Sequence, residues 1–143
     1  MRVTKFIALL ACIIIAGCKP RLNLDGFNDS STLRIAPGVI IHQTSGTTYT
    51  LCDRDGFGLL DGNVVMLHYQ KNDGLLLVGY VLFGYDISDF KNIPPADIHY
   101  AVGHVDASGQ LASAGMTPLS QAEAAARYPR ALSAAKPIDQ LAN

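Results

Sequence analysis

Residues Leu75 to Tyr85 read LLLVGYVLFGY, and this run constrains the fold more than any other part of the chain. In an extended backbone successive side chains point to opposite faces. Leu75, Leu77, Val81 and Phe83 then point one way, and Leu76, Val78, Tyr80 and Leu82 the other. Both faces are apolar, so both need a covering layer, and the run is predicted to be a strand in the middle of a sheet. The same pattern predicts burial of Val81, Leu82 and Phe83 alike. Gly79 and Gly84 mark bends or close approaches of backbone. As a helix the run would be too short to cross a bilayer, which takes about 20 apolar residues.

The flanking sequence supplies partners for that strand. Asn72-Asp73-Gly74 is the strongest hairpin signal in the chain and joins it to a strand over Val64 to Lys71. Upstream, Val39-Ile40-Ile41 follows Pro37-Gly38 and reads as a short buried strand, and Ser45-Gly46 makes a turn. Thr47 to Cys52 alternates, with Tyr49 and Leu51 on one face and Thr48, Thr50 and Cys52 on the other. Asp53 to Asn63 is rich in Asp and Gly and is expected to be an exposed loop. Downstream, Asp86 to Ala96 is a connection closed by Pro94-Pro95. Ile98 to Val105 is a strand, Asp106 to Gly109 a turn, and Gln110 to Ala114 the returning strand. One helix is clear. Ser120-Gln121-Ala122-Glu123 is a capping box, the alanines favour helix, and Glu123 and Arg127 form a favourable pair four apart. Tyr128 precedes Pro129, so this helix is expected to end there. The fold class is therefore α+β: a mostly antiparallel sheet of about five to seven strands with one short C-terminal helix packed on it.

The N-terminus has a different character. MRVTKFIALLACIIIAGCKP has a basic head in Arg2 and Lys5, an apolar run from Phe6 to Ala16, and a polar continuation at Lys19-Pro20. This is the layout of an export signal. Its ending, Ile15-Ala16-Gly17-Cys18, resembles the lipobox of bacterial lipoprotein signals. That resemblance implies cleavage between Gly17 and Cys18, a diacylglyceryl group on the Cys18 thiol, and acylation of the new amine. Two or more acyl chains anchor stably where one does not. With Lys19 rather than Asp after the cysteine, it further implies sorting to the outer membrane, with the protein facing the periplasm. The expected organisation is a signal over residues 1–17, a lipidated Cys18 with a tether to residue 31, a β-rich domain over 32–132, and a loose tail over 133–143. Leu22, Leu24 and Phe27 give the tether apolar residues able to dock on the domain.

Composition narrows the function. Loss of Arg2 and Lys5 with the signal leaves 9 basic against 12 acidic residues, and such a balance excludes a general nucleic-acid binder. Cys12 is lost and Cys18 lipidated, so Cys52 has no disulfide partner and is expected to be a small core residue. Its alternative, a nucleophile served by His42, His68, His99 or His104, finds no support in the spacing. His99 and His104 lie five apart and face opposite sides of one strand, which does not suit a shared metal. Asp53 to Asp61 resembles part of a calcium loop, but Phe57 and Val64 fall where ligands are needed. No cofactor or metal is expected. There is no GxSxG, SxxK or HExxH, and Asp86 with Asp89 shapes a turn more simply than it makes a hydrolytic pair. An enzyme is not expected.

What stands out instead is Phe57, Leu59 and Leu60, apolar residues on a loop built for exposure and candidates for partner binding. The sequence thus points to a lipid-anchored, protein-binding lipoprotein of the inhibitor, immunity or exclusion type. Its expected partners are the membrane, through the lipid, and another envelope or incoming protein. The alternatives are a structural or assembly subunit of an envelope complex and, third, a small envelope hydrolase.

Overall fold

A computed structural model describes residues 32–87 and 89–141. The signal, Cys18 and the tether lie outside the described residues. Among the described residues, eight strands form two antiparallel sheets. The first holds β1 (Thr32–Ala36), β2 (Val39–Ser45) and β3 (Thr48–Asp53) in that order. The second holds β4 (Gly62–Gln70), β5 (Leu75–Leu82), β6 (His99–His104), β7 (Thr117–Leu119) and β8 (Lys136–Pro137), in the order β7-β6-β5-β4-β8. Three short helices follow β7: α1 (Gln121–Arg127), α2 (Pro129–Ala134) and α3 (Ile138–Leu141). The fold is α+β, as its sequence implies.

The two-faced strand is central. β5 pairs with β4 on one side and β6 on the other. Its Leu76 and Val78 face a core shared with Val39, Ile41, Tyr49 and Leu51 of the first sheet. Its Leu77 and Val81 face a second core, closed by Ala124 of α1 and Ala131 of α2. The small alanines let these helices lie close on the sheet. At Gly79 the sheet has a bulge in the opposing strand between Val64 and Met66, and a Cβ there would collide with the Met66 side chain.

Several expectations are corrected. β5 stops at Leu82, and Leu82 and Phe83 are exposed, not buried. Pairing with β6 ends at Tyr80 and pairing with β4 at Leu82, so the apolar run outlasts both neighbours. Gln110 to Ala114 contributes only a bridge from Leu111 to Val105, and β7 takes the place beside β6. The Ala-Ser-Ala-Gly stretch there has little to pack, and Gly115 turns the chain at φ +67°. The helix does end at Tyr128, but Pro129 at once begins another, because proline suits a first helical position. Residues 133–141 do not form the expected loose tail. α2 runs on to Ala134, β8 pairs with β4 at Met66 and Leu67, and Ile138 is fully buried in the core between the sheets.

Candidate interaction surface

The end of the molecule where β3 leads into β4 is shaped by Asp53. Its Oδ1 accepts from the amides of Asp55 and Phe57, both at 2.9 Å, and its own amide donates to the Phe57 carbonyl at 2.9 Å. Gly56, at φ +87°, completes the turn. These bonds hold Phe57 outward, and 71% of it is exposed. The chain then doubles back along β3: Gly58 bridges Cys52, and the Leu59 amide donates to the Leu51 carbonyl at 2.8 Å. Leu59 and Leu60 are half-buried against the core between the sheets. Of the three apolar residues that the sequence marks for partner binding, only Phe57 projects into solvent. Gly62 and Asn63, expected to belong to the loop, already lie in β4 and are buried.

Two residues that the alternation assigned to the core join it. Gly62 pairs with Leu82, and the Phe83 amide lies 3.4 Å from the Asp61 carbonyl. Phe57 precedes Asp61 by four residues, so their Cα atoms are no more than about 14 Å apart. Leu82 and Phe83 are 51% and 56% exposed, and with Phe57 they are the exposed large hydrophobic residues among those described. Phe57 lies on the loop before β4, and Leu82 and Phe83 lie at the end of β5 and just after it. The charges nearest these residues in sequence are Asp53, Asp55, Asp61 and Asp86 against Arg54, whose Nε lies 3.8 Å from Asp55 Oδ1. Exposed apolar side chains become candidates for recognition where they lie close together. The missed signal was the end of the strand partners, which no single strand's alternation reveals.

The other sequence candidates lie apart from this surface or are engaged in structure. Cys52 is buried beneath the Gly58 bridge, and its Sγ lies 3.7 Å from the Thr50 carbonyl. Burial, then the nearby Asp53 charge, raises the thiol pKa, which suits a packed thiol and not a nucleophile. His42 lies opposite Thr50 on the first sheet, and His68 opposite Leu77 on the second. His99 and His104 are exposed at the two ends of β6. Among the described residues no three His, Cys, Asp or Glu side chains gather closely enough to hold a metal ion. Asp89 caps the short 3-10 turn Phe90–Asn92, accepting from the Lys91 amide, and Asp86 stands exposed. Among the described residues no helix is long and apolar enough to cross a membrane.

No family model matches this chain, and the comparisons with curated proteins and with solved structures find no match either.

Proposed function

We propose that this chain is a lipid-anchored lipoprotein of the outer membrane. It faces the periplasm and binds another protein, as an inhibitor, immunity or exclusion factor does. The exposure of Phe57, Leu82 and Phe83, on segments joined where Gly62 pairs with Leu82, is the observation that carries the binding half of this reading. Aromatic side chains at the centre of a patch supply most of the energy of protein recognition, and polar residues around them exclude water. The acidic rim favours a partner whose apolar pocket is bordered by lysine or arginine. The membrane half rests on Ile15-Ala16-Gly17-Cys18 after a basic head and an apolar run.

One pair of experiments addresses both halves. Mass spectrometry of the N-terminus of the purified protein should show an acylated Cys18, and Cys18→Ser should remove it. An unmodified cysteine, or a mature chain that starts elsewhere, refutes the anchor. Affinity capture from envelope extract should recover a partner with the wild-type chain and lose it with Phe57→Ala combined with Phe83→Ala. Since both side chains stand in solvent, the melting temperature of that variant should stay within a degree or two of wild type. Capture unaffected by the substitutions would refute the tip as the binding surface.

A further inference from the structure

A cleft beside β6 shares no residue with that tip. The chain that follows β6 runs back along the edge of the strand but does not stay on it. Val105 bridges Leu111, and the Ala112 amide donates to the His104 carbonyl at 2.7 Å. Contact resumes where Thr117, at the start of β7, pairs with Val102. Between these two attachments the chain steps off the edge, and Gly115 turns it at φ +67°. Leu111 and Met116 pack against the core between the sheets, so the detour leaves only Ala112, Ala114 and Gly115 to line the cleft. None of these is large enough to fill it. The space that remains is about 250 Å³, with Arg127 and Tyr128 at the end of α1 forming its other wall.

The polar side chains around the cleft are His104, Thr117, Arg127 and Tyr128, and no carboxylate is among its described lining residues. All four can donate: a guanidinium in a planar fork, two hydroxyls, and an imidazole in either protonation state. The spacing in the sequence pairs Arg127 with Glu123, four residues earlier. In the fold Glu123 is taken up by the capping box, where it accepts from the Ser120 amide at 2.8 Å. Arg127 instead lies over the Tyr128 ring, 5.3 Å from its centre, with Nη2 3.4 Å from the Tyr128 hydroxyl. Among the described residues no carboxylate stands at ion-pair distance from Arg127. The ring thus steadies a guanidinium whose remaining donors have no anionic partner close by.

We propose that this cleft binds a small oxyanion, a molecule that presents a carboxylate or a phosphate group. The Arg127 fork meets two of its oxygens, and His104, Thr117 and Tyr128 supply further donors. The alanines and Gly115 leave room for the anion to come close to the strand. Pockets for drug-sized ligands measure roughly 300–1,000 Å³, so a cleft of about 250 Å³ suits a smaller molecule. This site depends neither on the tip nor on the lipid anchor.

Titration of the full chain in detergent, followed by nitrogen-15 NMR, tests this. The probes are sodium phosphate, sodium acetate and sodium chloride. Phosphate or acetate should shift the amide signals of His104, Gly115 and Thr117 saturably, with a Kd of about 1 mM or tighter. The tighter of the two identifies the group the cleft prefers. Chloride, which has no pair of oxygens for the fork, should not saturate these shifts. Arg127→Lys keeps the charge and loses the fork, and should weaken binding by about tenfold. Arg130→Gln removes a nearby charge that does not line the cleft, and should leave binding unchanged. Phe57→Ala combined with Phe83→Ala should also leave it unchanged, which separates this site from the tip. No saturable shift with either oxyanion, or an equal response to chloride, overturns the proposal. So does unweakened binding by Arg127→Lys, which would leave Arg127 as a complement to the end of α1. If that variant fails to fold, Thr117→Val decides: it removes one donor and should weaken binding several-fold, and unchanged affinity overturns the site.

Discussion

Leu82 and Val81 are neighbours in sequence with opposite fates. Val81 has no solvent exposure, and Leu82 has half of its surface in water. Leu82→Ala should therefore cost less than about 1 kcal/mol, as surface substitutions do. Ile138→Ala should cost about 2–5 kcal/mol, because Ile138 is fully buried between the two sheets. Urea titrations of the two variants provide the check, and the reverse order would mean that the apolar tip is covered in solution. Alternation along one strand reveals which side chains share a face, and for Leu76, Leu77, Val78 and Val81 that was enough. It does not reveal where the neighbouring strands stop. Burial of Leu82 depended on β6 reaching past Tyr80, which it does not.

At the scale of elements, the best-specified feature is the start of α1. Ser120 accepts from the Glu123 amide, and Glu123 accepts from the Ser120 amide at 2.8 Å. Ser120→Ala should lower stability by about 1 kcal/mol. The Glu123 pKa is lowered, first by the Ser120 amide, then by its hydroxyl, and less by the Arg127 charge. A carboxylate with a depressed folded pKa stabilises above its ordinary value, here 4.5, and that help is lost as pH falls through the lower folded value. Melting temperatures of wild type and Glu123→Gln should thus differ at neutral pH and converge in acid below the ordinary carboxylate range. A difference independent of pH would assign Glu123 some other role. The cap, the β4–β5 hairpin and the central place of β5 were legible because each rests on residues close in sequence. β1, β7 and β8 were not. β7 and β8, of three and two residues, carry too little pattern to read, and their pairing depends on edges that distant segments leave open. The candidate site was half legible for the same reason: Phe57 is set by its own turn, but Leu59 and Leu60 are drawn inward by a core that lies elsewhere in the chain.

The whole molecule is closed by residues near both ends of the described chain. Leu33 from β1 and Ile138 from α3 lie in one core, and β8 pins the segment before α3 to β4. A chain stopped after Ala134 should lose both the β8 pairing and the buried Ile138. It should unfold at markedly lower urea than wild type, and an unchanged midpoint would refute this account of the core. Closure at position 138 also bears on the export that the proposed lipoprotein reading requires. Threading through a translocation channel requires an unfolded chain, and an early, stable core would block passage. Here the layer between the sheets has no finished form while the polypeptide ends short of Ile138. If the proposed export holds, a ribosome or a channel still holding Ile138 leaves that layer unfinished and so keeps the precursor from compacting.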